Sequence, residues 1–164
     1  MSVDTIEKLF IAELKDLYSA ENQITKALPK MVKAAMSADL KKAFESHLRE
    51  TEGQIERLVE ICNILGTTPK GKSCAGMKGV LSEGSEMLQE VEEGDVRDAA
   101  LISAAQRVEH LEMAAYGTVR TYAQLLGQPQ VAKLLDETFE EEKAADQKLT
   151  SISQKVNAQA KQNA

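Results

Sequence analysis

Glu109 and Glu112 stand where a helix ought to be apolar. Apolar or small residues recur at Ala99, Ile102 and Ala105, then again at Val119, Ala123 and Leu126, the spacing of one helix face. Extending that row places Glu109 in its middle, Glu112 one turn on and Tyr116 a further turn along. Burying an ionised carboxylate without a partner costs several kcal/mol or forces it to take up a proton, so acids on this face demand compensation. A bound cation is one form of it.

Three other segments repeat the anomaly. The row Phe10, Leu14, Leu17, Glu21, Ile24, Leu28, Met31 is interrupted once, by Glu21. The row Leu40, Phe44, His47, Thr51, Gln54 or Ile55, Leu58 turns polar at its centre, with Glu50 three residues after His47 and hence beside it on a helix. The last row reads Val131, Leu134 or Leu135, Thr138, Glu141 or Glu142, Ala145, Leu149, Ile152. Four long helices with polar groups at similar height bring those groups together across a bundle. Glu21, His47, Glu50, Glu109, Glu112 and Glu141 then surround one interior volume, with Gln54 and Tyr116 as hydrogen-bonding neighbours. Carboxylates able to bridge two cations, together with imidazole, are the ligand set with which ferritin-like four-helix bundles hold paired iron or manganese ions. His110 follows Glu109 directly and points about 100° away on a regular helix, so it is expected with Gln54 and Tyr116 around the ligands and not among them. The competing account pairs the acids with Arg107, Arg120 and Lys143 in buried salt bridges, making a non-catalytic helical interaction protein.

The elements that must position these groups are legible in the punctuation. The 164 residues, 43% hydrophobic and only 4% aromatic, are rich in strong helix formers and predict one all-α domain. Ser2 or Asp4 is expected to cap the first helix, Ser37 or Asp39 the second and Asp95 the third, while Gly66 and Gly127 close the second and third and Pro129 opens the fourth. Pro29 lacks an amide hydrogen and is expected to kink or break the first helix, leaving residues 30–36 as a short continuation. Residues 67–79 read as a loop and 80–93 as a short helix within the crossover, so that the fold is two antiparallel hairpins. The domain is expected over residues 1–158, with a polar tail fraying from 159 to 164.

Other classes are set aside by composition. A net charge of −6 argues against nucleic-acid binding, although Lys26, Lys30, Lys33, Lys41 and Lys42 gather near one helix junction and read as a solvated face. No apolar run approaches a membrane span and no secretory signal opens the chain, which predicts a cytoplasmic protein. Gly71-Lys72-Ser73 does not complete a phosphate-cradling loop and follows no strand. Cys62 and Cys74, without a CxxC spacing, read as reduced thiols.

Several runs resemble one family over nearly the whole chain. They are Glu13-Leu14-Lys15-Asp16-Leu17-Tyr18-Ser19-Ala20-Glu21, Ala27-Leu28-Pro29-Lys30-Met31, residues 47–52, Val108-Glu109-His110-Leu111-Glu112-Met113-Ala114-Ala115-Tyr116-Gly117 and Glu141-Glu142-Lys143. They look like the YciE/YciF family of bacterial ferritin-like stress proteins. The resemblance implies a cytoplasmic homodimer associated with stress and a rubrerythrin-like cavity for two iron or manganese ions. One departure from the wider ferritin-like pattern stands out: the Glu-x-x-His motif common on two of the helices is absent. Residue 144 is Ala, and the second helix carries His47-Leu48-Arg49-Glu50 in reversed order. A site poorer in imidazole is richer in oxygen, which favours manganese or weak occupancy over oxygen activation.

Overall fold

The computed structural model describes residues 2–163. Five helices, and no strand among those residues, follow in the order α1 (Ile6–Ala34), α2 (Ala38–Ile64), α3 (Ala75–Glu90), α4 (Asp95–Leu125) and α5 (Pro129–Gln162). α1 with α2 and α4 with α5 make the two long hairpins, and α3 lies in the crossover against α4 and α1. The expected all-α ferritin-like bundle is the fold observed.

The helix ends follow from local chemistry. Thr5, rather than Ser2 or Asp4, caps α1, its Oγ1 accepting from the Lys8 amide. Ser37 caps α2 in the same way. Gly66 and Gly127 take positive φ after α2 and α4, which lets Thr67 N–H reach Cys62 O and Gln128 N–H reach Ala123 O and so occupies carbonyls that would otherwise be orphaned. At the other end of the bundle the buried Asp98 of α4 accepts from the amides of Met36 and Ser37 at 2.8 and 2.7 Å, fastening the first hairpin's turn to the second hairpin.

Three expectations are corrected. Pro29 does not break α1: it lies on the exposed face, while Leu28 and Met31 pack on either side of it and hold the helix through the missing hydrogen bond. α3 begins at Ala75, five residues before the expected start, because Cys74 Sγ accepts from the Met77 amide and Met77 is fully buried. The tail from 159 continues α5 to Gln162, since Val156 carries the buried seam that far and Asn163 donates its side-chain amide to Asp95 at 2.5 Å.

The apolar core comes in two parts. One gathers Ile24, Leu28, Phe44, Leu101 and Leu149 toward the Asp98 end, and the other Phe10, Leu14, Leu58, Val119 and Leu135 toward the opposite end. Between them lies a buried polar slab of Glu21, His47, Thr51, Gln54, Glu109, Glu112, Thr138 and Glu142.

Candidate metal centre

Each long helix sends at least one group into the slab: Glu21 from α1, His47 from α2, Glu109 and Glu112 from α4, and Glu142 from α5. Ligand-type atoms of His47, Glu109, Glu112 and Glu142 all lie within 4.8 Å of one another. His47 Nε2 is 3.2 Å from Glu109 Oε1 and 3.9 Å from Glu142 Oε2, but neither approach is aligned as a hydrogen bond. Glu21, from α1, is buried in the same slab outside that group of four, and its Oε1 accepts from the Tyr116 hydroxyl at 2.5 Å.

The slab is full of groups with nothing to bind. Glu21 Oε2, Glu109 Oε2, both oxygens of Glu112 and Glu142, both nitrogens of His47 and Gln54 Oε1 are buried without a hydrogen-bond partner. Four ionised carboxylates at several kcal/mol each would exceed the ~5–15 kcal/mol by which a domain is stable. The protein therefore holds protons or cations there. Burial, followed by the charge of Glu142, pushes Glu21 up to about 8. Glu109 and Glu112 are likewise raised well above the carboxylate range, first by burial and then by their acidic neighbours. Burial disfavours the charged form of His47, yet Glu50, Glu142 and Glu21 outweigh it and raise that pKa.

The buried-salt-bridge account lacks its cations. Arg107 pairs with Glu83, Arg120 with Asp136 and Lys143 with Glu140. Among the described residues no lysine or arginine comes within ion-pair distance of Glu21, Glu109, Glu112 or Glu142.

Two of the expected ligands are not brought in. Glu141 points the other way, accepting from Arg57 Nη2 at 3.0 Å, from Arg57 Nη1 at 3.1 Å and from Gln54 Nε2 at 2.9 Å, and Glu142 takes its place. The cause is the 100° step between successive helical residues: only Glu142 continues the Leu135–Thr138 row inward. Glu50 has a side chain 43% exposed and faces His47 Nδ1 at 3.7 Å from outside, where it can orient the ring. His110, expected around the ligands, is instead 67% exposed and pairs with Asp146, away from the slab, because its position on the helix turns it outward. Gln54 is buried in the slab and donates to Glu141 at its edge, and Tyr116 is fully buried on Glu21.

Two hairpins linked by a crossover, with carboxylates and an imidazole at mid-height, make the ferritin-like architecture. A ferritin-like, diiron-carboxylate protein from Bacillus anthracis superposes with a TM-score of 0.71 at 17% identity, over 93% of this chain and 99% of that one, and shares the fold. The chain belongs to the family described as Domain of unknown function (DUF892), whose profile matches residues 5–162. YciF of Escherichia coli K12 is 47% identical over the full length of both chains. The crystal structure of that E. coli stress protein matches with a TM-score of 0.92 over 95% of this chain and 99% of its own. YcfI from Rhodopseudomonas palustris, described as a putative structural protein, matches with a TM-score of 0.89 at 43% identity, covering 91% of this chain and 95% of that one.

Proposed function

We propose that the protein is a dimetal protein of the bacterial stress response, holding two iron or manganese ions on Glu21, His47, Glu109, Glu112 and Glu142. The observation that carries this reading is the set of buried, partnerless oxygens and nitrogens converging from four helices, with no basic side chain among the described residues to neutralise them. Four carboxylates balance two divalent cations in charge, which is why two ions are expected. The single imidazole leaves a predominantly oxygen donor set, suited to manganese or ferrous iron. When bound, such a pair supplies electron exchange with dioxygen or peroxide.

The chain's own residues prepare that chemistry. Tyr116 holds its proton on Glu21 Oε1, leaving Oε2 as the atom available to a cation. Glu50 faces Nδ1 of His47 and so leaves Nε2 toward Glu109 and Glu142. Arg57 and Gln54 keep Glu141 outside, limiting the site's negative charge. The reading includes a cytoplasmic homodimer, in keeping with the family resemblance and with the absence of any helix among the described residues long and apolar enough to cross a membrane.

Ferrous ion loaded anaerobically and then mixed with hydrogen peroxide is expected to be oxidised faster on the protein than in buffer, and Glu112→Ala is expected to remove the difference. Equal rates with and without protein would reduce the function to sequestration.

A further inference from the structure

Beside the slab lies a largely apolar cavity of about 190 Å³, walled by Ile24, Leu28, Phe44, Ala105 and Leu149, with His47, Glu50, Glu109, Glu141 and Lys148 also in its lining. Alone it falls below the ~300–1,000 Å³ of ordinary ligand pockets. It does not stand alone. A groove of about 420 Å³ runs between α1, α3 and α4, and Ala27, Met31, Leu81 and Val108 line both spaces. Those four side chains are shared by groove and cavity, and Met31, with three rotatable bonds, adapts readily. Gly84 keeps α3 close above α4, where an added Cβ would sit 3.2 Å from Ala104 Cβ.

The groove's outer lining carries Lys26, Lys30 and Lys78 and no acidic side chain, on a chain of net charge −6. The three lysines are exposed, and none has an ion-pair partner among the described residues. Lys26 and Lys30 belong to the basic group that in the sequence resembles a mere solvated face. In the fold they rim an apolar trough leading toward the slab. A small inorganic anion would use the lysines but none of the aliphatic wall, and a neutral hydrocarbon the reverse.

We propose that groove and cavity form one site for a free single-chain carboxylate of the fatty-acid class: its head at the Lys26, Lys30 and Lys78 rim, its chain passing Met31 and Leu81, and its far end beside His47 and Glu109. This deepens the metal reading and rests on it only for what the chain's end meets. With the pocket filled, the neighbour of the slab on that side is hydrocarbon in place of water.

Calorimetric titration of the purified protein with dodecanoate, below its micelle concentration, tests the site. One saturable dodecanoate per chain is expected, with dodecanol and butyrate each at least about tenfold weaker. The variant Lys26→Gln/Lys30→Gln/Lys78→Gln should lose about tenfold for dodecanoate and nothing for dodecanol. Met31→Trp, or Ala27→Leu should the first misfold, should block both. Dodecanoate should also alter the electron paramagnetic resonance spectrum of manganese-loaded protein, and phosphatidylglycerol vesicles should not co-sediment with it. Equal affinity for dodecanol, indifference to the lysine changes, an unaltered spectrum at saturation in protein that retains manganese, or vesicle capture without dodecanoate uptake would each overturn the proposal. Elemental analysis of the same samples separates the two readings. Retained metal without dodecanoate uptake removes this inference alone; uptake by a chain that holds no metal after loading removes the metal reading and leaves the pocket.

Discussion

Glu142→Ala is expected to abolish metal retention and to make the metal-free protein more stable, whereas the same change one residue earlier, Glu141→Ala, should leave metal bound and cost stability. The two residues are neighbours in sequence and opposites in environment. Glu142 is fully buried, with both oxygens partnerless, so in the metal-free protein its desolvation and its repulsion of Glu21, Glu109 and Glu112 stand against one attraction, to His47. Removing one ligand from a small donor set should weaken binding by more than the ~10–100-fold that accompanies loss of a group that merely orients a ligand. Glu141 instead holds Arg57 through both oxygens and accepts from Gln54. Its loss leaves a largely buried guanidinium to Thr138 and the exposed Glu137, at a cost of about 2 kcal/mol, or about 4–8 °C in Tm. Elemental analysis and thermal melts of both variants decide the matter. Metal loss in Glu141→Ala with retention in Glu142→Ala would reverse the assignment.

The second large effect is in pH. In the metal-free protein the unfolded chain releases the Glu21 proton near 4.5, while the folded protein keeps it to about 8. Between those values the native state holds the extra proton, so stability is fully present below 4.5 and is lost as pH rises through about 8. Glu109 and Glu112, raised in the same direction, add to the slope. Metal reverses the trend, because a cation binds the deprotonated carboxylates and displaces those protons. Melts of stripped protein should therefore fall in Tm from pH 5 to pH 8. Manganese or ferrous ion at ~1,000 times its dissociation constant should restore ~4 kcal/mol, or about 8–16 °C, with the gain growing as pH rises. A stripped protein whose Tm rises over that interval would show that the slab acids are stabilised as anions by something other than metal.

How much of this was legible beforehand follows from the register of the seams. In α1 the buried positions 10, 14, 17, 21, 24 and 28 alternate steps of four and three, and Glu21 sits within that alternation. The same alternation from Leu40 in α2 selects His47, Thr51 and Gln54, and passes over Glu50. From Val131 in α5 it selects Leu135, Thr138 and Glu142, and passes over Glu141. Both misplaced ligands thus sit one step off a register that the apolar residues on either side already defined. The exclusion of Glu50 followed from position alone, but the partner of Glu141 did not, because Arg57 lies on another helix and only the packing of α2 on α5 brings them together. Cys74 as the cap of α3 was hidden for a different reason: a thiol is a weak acceptor, and the glycines at 76 and 79 argue for a loop until Met77 is seen to be buried. The two cavities had no sequence signal, since they arise where α3 packs over small and aliphatic residues of other helices.

If the mid-height acids and His47 hold two metal ions, the metal-free chain must take them up in that ratio. The most direct measurement is metal content per chain after stripped protein is loaded anaerobically with ferrous ion or manganese at pH 8 and freed of unbound metal. Two ions per chain in the wild type, and none retained in Glu112→Ala, whose carboxylate is fully buried without a partner, is the expected result. A wild-type chain that retains no metal and melts at the same temperature with and without it would contradict the claim.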